Sequence, residues 1–429
     1  MGRVFHPPGY LTLSDMISNA TMHFTMTRAL RWAARQPLRW RQHARISLQL
    51  PRLIKNVRRE LQRGTINSEI VQRGTLSYVQ SNRRPDLGSG VYTYRIGGAP
   101  LVYASAYAAL TRHLFGDLES LSAVERNAWI SYLQQHQSDD GLFRDPLIAC
   151  EQAEQVDWWG WRHMTLHVLM ALGALGGTAS KEFHSIQPFR SSGRMRQWLD
   201  GRNWKGDAAG VSNEVQNHGT MLQYARDFQG QGWCGDALDE MYDWLDRYQD
   251  ARTGCWGYGN STPWERSQGV QTGYHFWCLC FYDRRPIQYV DRIIDSCLST
   301  QNRMGGYGVA LNSSACEDID SIDPLARLSI QTDYRRDEVL DSLRRALPWV
   351  LANRNPADGG WVFRRYQPYA IVPHKAMWAE ENESFIAYTW FRSLSLAYLA
   401  QALPSASAVP CVAHFSRFPG HQFWRQGNS

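Results

Sequence analysis

WLDRYQDARTGCWGY, residues 244–258, reads as a helix ending in Gln, a short polar turn, then Gly beside an aromatic. The phrase recurs as YVQSNRRPDLGSGVY (78–92), YLQQHQSDDGLF (132–143), CLSTQNRMGGYG (297–308) and VLANRNPADGGWVF (350–363), with a degenerate copy in QWLDGRNWKGDAAG (197–210). Recurrence on this scale marks a repeat architecture. Each phrase precedes a helix-compatible run: 99–115, 158–173, 213–228, 270–281, 323–334 and 382–403. These runs are apolar around most of their circumference, as buried helices must be. Segments 234–248, 287–297 and 338–351 are apolar on one face only and read as outer helices. Six inner and outer pairs can close into an all-α (α/α)6 toroid. An open solenoid would need polar caps, whereas the last run, SFIAYTWFRSLSLAYLAQAL (384–403), is apolar. The alternation of apolar and polar residues that marks sheets is absent outside short connectors.

Composition narrows the class. Of 429 residues, 43% are hydrophobic and 20% charged, and 18 are Trp, which excludes a disordered chain. No run approaches the roughly eighteen apolar residues of a membrane span, and the opening MGRVFHPPGY lacks the apolar core of a secretory signal. Eight Cys without CxxC spacing point to reduced thiols in a cytoplasmic setting, and not to a disulfide frame.

The net charge of +6 is unevenly spread, since residues 28–63 carry eleven Lys or Arg against one acid, Glu60. There Leu30, Trp32, Leu38, Trp40, Ile46, Leu50, Leu53, Ile54 and Val57 alternate with arginines, interrupted by Pro37 and Pro51. Such a stretch either lies on an anionic membrane surface or packs on the main domain with its arginines in water. No recognised nucleic-acid module accompanies it. The chain therefore divides into a basic arm (1–64), the toroid (65–403) and a C-terminal tail (404–429).

In a toroid, chemistry belongs in the central cavity and its mouth. The densest polar cluster, SSACEDIDSIDPLARL (313–328), places Glu317, Asp318, Asp320 and Asp323 within seven residues. Asp323–Pro324 reads as a helix cap followed by Pro at the first helical position, which leaves the first three acids in the approach loop. Carboxylates so spaced can also hold Mg2+ beside a diphosphate.

Gln249 before Gly254–Cys255–Trp256, Gln301 before Gly305–Gly306–Tyr307, and Asn355 before Gly359–Gly360–Trp361 resemble the QW and prenyltransferase-type repeats of class II terpene cyclases, squalene cyclases and protein prenyltransferase β-subunits. The resemblance covers roughly residues 65–403 and implies a structural role for the repeats, the Gln side chain bonding the turn backbone. Asp318–Ile319–Asp320–Ser321 is similar to the DxDD motif of class II cyclases, with Ser in place of the last Asp. It implies Asp320 as the general acid that protonates an alkene or epoxide, tuned by Asp318 and Glu317. Such an acid must stay protonated in a dry pocket, and neighbouring carboxylates push one pKa up. The resemblance thus implies protonation-initiated cyclisation of an isoprenoid or lipid-like substrate, an isomerase or lyase reaction with no cofactor required beyond the Mg2+ already raised. Arginines of the arm, or Arg327, could hold a diphosphate.

Candidate substrate contacts are Trp158, Trp159, His163, His218, His275, Trp277, Glu383 and Tyr388, aromatic and polar side chains of the inner runs. His163 and His167 share one helix face but read better as satisfied core or pocket histidines than as metal ligands. In protein prenyltransferases the zinc ligands are Asp, Cys and a distant His. Here Cys316 and Asp318 stand in the reverse order, and ENESFIAYTWF (381–391) has no His, so no metal site is assigned. A carbohydrate-active (α/α)6 enzyme, with Trp platforms and a Tyr/His or paired-carboxylate site, is the opposing reading. A prenyltransferase-like transferase and a non-catalytic scaffold remain alternatives, because fold alone does not settle function.

Overall fold

The computed structural model describes residues 26–406 and 413–424, with side chains from residue 42 onward. In chain order the helices are α1 (Met26–Gln62), α2 (Ser68–Ser81), α3 (Val102–Leu114), α4 (Ala123–Gln134), the short α5 (Glu151–Gln155), α6 (Trp161–Leu175), α7 (Arg194–Asp200), α8 (Trp204–Phe228), α9 (Cys234–Tyr248), α10 (Pro263–Asp283), α11 (Val290–Ser299), α12 (Ala315–Gln331), α13 (Arg336–Ala352) and α14 (Ile386–Ala402). Among the described residues β structure is limited to isolated bridges.

Helices α3, α6, α8, α10, α12 and α14 each pack on the next, and α14 returns to α3, so the inner helices form a closed ring. Their burial explains why. In α14 every residue from Ile386 to Leu399 is buried, the mark of a helix enclosed on all sides. The outer helices bury one stripe: α9 presents Ala237, Leu238, Met241, Trp244 and Leu245 to α8 and keeps Asp236, Asp239 and Asp243 in water.

The recurring turns tie the two rings together. Gln249 Nε2 donates to the Gly254 carbonyl at 2.8 Å, Gln301 Nε2 to Gly305 at 3.0 Å, and Gln137 Nε2 to Gly141 at 2.9 Å. In four of the repeats the aromatic residue of the turn then donates its amide to a side chain in the first turns of the following inner helix. Tyr92 N reaches Ser105 Oγ (3.2 Å), Phe143 N reaches Thr165 Oγ1 (3.0 Å), Tyr307 N reaches Asp318 Oδ1 (2.8 Å) and Trp361 N reaches Thr389 Oγ1 (3.2 Å). The degenerate copy departs from this pattern: residues 197–210 form the end of α7 and the start of α8, capped by Asn203 and kinked at Asp207.

The basic arm is a helix through both prolines, and Ile46, Leu50, Ile54 and Val57 bury one stripe while α1 packs on α13. Arg45 pairs with Glu381 at 2.5 Å. Side chains of 28–41 lie outside the described residues. No helix is long and apolar enough to cross a membrane among the described residues. The described cysteines are free, and Cys411 lies outside them.

Residues 413–424 seal the end of the ring where the inner helices finish. Gln422 Nε2 donates to Leu110 O (3.3 Å) and its Oε1 accepts from Trp390 Nε1 (2.6 Å). Phe418 stacks on Phe228 at 4.0 Å, Phe423 meets Tyr282 edge-on at 4.8 Å, and the Phe423 carbonyl accepts from Arg327. Phe418 also occupies the place where a Cβ on Gly173 would stand, 2.1 Å from its ring, so α6 needs glycine there.

Leu50 is fully buried whereas Leu48 is 63% exposed. Leu50→Ala is therefore expected to cost about 2–4 kcal/mol in urea denaturation and Leu48→Ala less than about 0.5 kcal/mol. Equal effects would mean that the arm does not pack on α13.

Candidate functional site

Helix α12 begins earlier than the Asp323–Pro324 pair suggested. Ser314 is its N-cap, its Oγ accepting from Glu317 N at 3.2 Å while Glu317 Oε2 accepts from Ser314 N at 2.7 Å, a reciprocal capping box. The acids expected in an approach loop thus lie inside the helix, and Pro324 sits in its middle. Pro324 has no N–H to offer the carbonyl of Asp320, so the helix is opened at the acid.

The four acids have different fates. Glu317 accepts from Arg364 at 2.8 Å in addition to its capping bonds. Asp323 pairs with Arg327 at 2.5 Å, and Arg327 also faces Phe281, Tyr398 and Trp424. This corrects Arg327 as a diphosphate ligand, since it is buried and bound at the sealed end. Asp318 has no exposed surface and accepts four hydrogen bonds, from Tyr307 N (2.8 Å), Ser313 Oγ (2.9 Å), Trp349 Nε1 (2.7 Å) and the guanidinium of Arg392, itself fully buried. Burial pushes its pKa up against the pull of Arg392, but every partner is a donor, so the pocket is built around the carboxylate. Asp318 occupies the same place in its repeat as Ser105, Thr165 and Thr389: it is a tie between turn and helix.

Asp320 accepts none of the hydrogen bonds found among the described residues and is only 5% exposed. Burial, and then the negative charges of Glu317, Asp318 and Asp323, hold its pKa well above the carboxylate range. It lies two residues past the tie. The same step from Ser105, Thr165 and Thr389 lands on Tyr107, His167 and Phe391, whose rings meet at 5.0–6.4 Å. This position therefore faces the space inside the ring, and α12 stands opposite α6 in the ring order. A protonated carboxyl without a partner here can give its proton to a weak base held against those rings.

His163 and His275 join Asp320 in lining that space. Both keep partial exposure while burial drives His275 down to about 4 and His163 well below the ordinary histidine range. Tyr388 stands at its edge, 5.6 Å from Phe391. The other predicted contacts do not join them. His218 points outward, its ring 5.1 Å from Trp198 and 5.7 Å from Phe189, because the register of α8 turns it to the outer layer. Trp277 is fully enclosed and lies over Gly273 of its own helix. Trp159 is buried and contributes its carbonyl to Tyr103, while Trp158 is 38% exposed outside. Glu383 pairs with Arg95 at 3.3 Å and accepts from Glu380 N, a loop cap. Sequence reasoning missed Tyr103, Tyr107 and the tail residue His421, which stacks on Tyr274 at 5.6 Å.

Among the described residues no three His, Cys, Asp or Glu side chains are grouped to hold an ion. Of the four carboxylates whose spacing suggested a magnesium site, Glu317, Asp318 and Asp323 are each bound to an arginine. Two surface clefts, of about 510 Å³ beside Arg285 and about 650 Å³ beside Arg144, include none of the predicted site residues.

No family model and no curated protein matches this chain. Among solved structures, ent-copalyl diphosphate synthase from Streptomyces platensis aligns with 72% of this chain and 50% of its own, at 18% identity and a TM-score of 0.37. The chain spans half the length of that protein, and a likeness this loose carries no argument about chemistry.

Asp318→Asn strands Arg392 without its charge partner and is expected to cost about 3–5 kcal/mol. Asp320→Asn breaks no hydrogen bond. Because the folded pKa of Asp320 is raised, wild-type stability from this group falls as pH rises above about 4, where the unfolded chain ionises. Asp320→Asn protein is thus expected to gain on wild type between pH 4 and 7 in urea titrations, and a constant difference would refute a raised pKa.

Proposed function

We propose that the chain is a terpene-cyclase-like enzyme that starts cyclisation of an isoprenoid or lipid-like substrate by protonation. The observation that carries this reading is Asp320, an acid held protonated by burial and by Glu317, Asp318 and Asp323, without a hydrogen-bond partner, on the wall of an aromatic space. An alkene is a very weak base, so its protonation needs a carboxylic acid out of water and a cation-tolerant lining. Tyr107, Tyr388 and Phe391 supply ring faces for that cation, with Trp390 packed behind them. Glu317 and Asp318 act through their charges, and Asp318 also positions α12 through Arg392.

The proton passes from Asp320 to one carbon of the double bond, the cation forms on the other, and a further double bond of the chain attacks it. The product is isomeric with the substrate once a proton is lost elsewhere. A carbohydrate-active enzyme is the second reading, favoured by the Tyr103 Oη to His163 Nδ1 contact of 2.8 Å. Against it, Tyr103 is 1% exposed and its hydroxyl is engaged by main-chain carbonyls. Peripheral membrane contact through 28–63 is part of the proposal only for 28–41, because the stripe from Ile46 to Val57 is already buried.

Purified wild-type protein and Asp320→Asn are to be incubated with isoprenoid diphosphates, squalene and membrane lipid extract, with and without Mg2+, and analysed by mass spectrometry. An isomeric cyclised product, reduced at least about 10³-fold in the mutant, is expected. Cleavage of sugar oligomers with no isoprenoid turnover would replace this reading by the second.

A further inference from the structure

Inside the ring stand three histidines whose hydrogens are all spent, His163 and His167 on α6 opposite Asp320 and His275 on α10 beside α12. His275 Nδ1 lies 2.8 Å from Ser212 Oγ, which in turn lies 2.8 Å from the Ala209 carbonyl. A carbonyl only accepts, so the single hydroxyl proton goes to Ala209 and His275 Nδ1–H donates to the serine. The same chain holds His163: Tyr103 Oη lies 2.8 Å from the Trp159 carbonyl and 2.8 Å from His163 Nδ1, so this nitrogen too carries the hydrogen. His167 Nδ1 sits 2.8 Å from the His163 carbonyl and must donate to it. In each neutral imidazole the remaining nitrogen, Nε2, is then a bare acceptor.

None of these three Nε2 atoms has a protein hydrogen among the described residues, and in His167, which is fully buried, the orphaned nitrogen is enclosed. The rings of His163 and His167 lie 4.4 Å apart, on a helix facing the acid across the ring. His163 and His275 are partly exposed, so their Nε2 atoms can be reached, and a hydrocarbon covering them would bury each acceptor without a donor at a cost of about 1–3 kcal/mol. A hydroxyl would relieve it. Covering the lone pairs would also keep them from taking a proton from a cation formed at the other wall.

We propose that His163 and His275, with the enclosed His167 packed behind them, form a binding site for the hydroxyl-bearing end of the substrate, an isoprenoid or lipid alcohol, while Asp320 acts on a double bond farther along the chain. The inference rests on the cyclase-like reading and narrows its substrate class. Tyr103 and Ser212 are positioning residues, since each fixes which nitrogen of its histidine is left bare.

The test measures binding to the full chain by quenching of tryptophan fluorescence, using geranylgeraniol, its methyl ether and the hydrocarbon of equal length. Wild-type protein is expected to bind the alcohol about 10- to 100-fold more tightly than the ether, and His163→Phe and His275→Phe to lose that preference while still binding the hydrocarbon. The comparison of the three probes on wild-type protein stands without the variants. Equal affinity for alcohol and ether overturns the hydroxyl site and leaves the cyclase-like reading intact. No binding of any of the three overturns both.

Discussion

The carboxylate of Asp318 is the point on which this half of the ring is assembled. It sits without exposed surface and gathers donors from the repeat turn, the loop before α12, the outer helix α13 and the inner helix α14. A charge in such a place is tolerable only if every lone pair is met, so the four elements must arrive together or not at all. In three other repeats a Ser or Thr hydroxyl does this work and returns its own proton to a carbonyl one turn back: Ser105 to Leu101, Thr165 to Trp161, Thr389 to Phe385. Asp318 replaces that neutral bond with a negative charge, and the charge is felt two residues on. The tie and the acid are thus one device, in which a structural carboxylate makes its neighbour hard to ionise.

The division between Asp318 and Asp320 follows from helix geometry. Two residues along a helix are turned well over a right angle apart. One carboxyl can therefore point back into the packing between rings while the other points into the lumen. Pro324 adds a local opening at the same level. The aromatic faces that complete the site come from α3 and α14, the two helices whose contact closes the ring between the first and last repeats.

Much of this was legible in the sequence, and the reasons for the gaps are physical. The recurring Gln and Gly-aromatic turns predicted the repeats, and apolar content separated inner from outer helices within a few residues at most ends. Asp320 was picked out by its resemblance to a catalytic motif. Pro324 misled the reading of α12, because proline is commoner at a helix start than inside one, and the capping box at Ser314 and Glu317 was the better signal. His218 and Trp277 were misplaced because a helix buried on all sides offers no hydrophobic stripe from which to read its inward face. The hydroxyl at the fourth or fifth helical position of three repeats was present in the sequence and would have set that register. Partners such as Tyr103 for His163 or Ser212 for His275 come from other helices, and no local pattern announces them. The tail was read as an appendage because its rings and polar groups show no periodicity until the ring they seal is known.

The seal formed by residues 413–424 has a kinetic consequence. Gln422 bonds Leu110 across 312 positions of sequence, so the cavity is floored only by some of the most non-local contacts in the chain. Local helix pairs can form early, but the ring cannot shut until α14 meets α3, and its floor cannot be laid until that has happened. Until then the apolar inner faces and the buried histidines stand open to water and to other chains. Aggregation during synthesis and refolding should therefore be decided at this late step, and a chain cut before residue 413 would carry every described helix yet lack a dry interior.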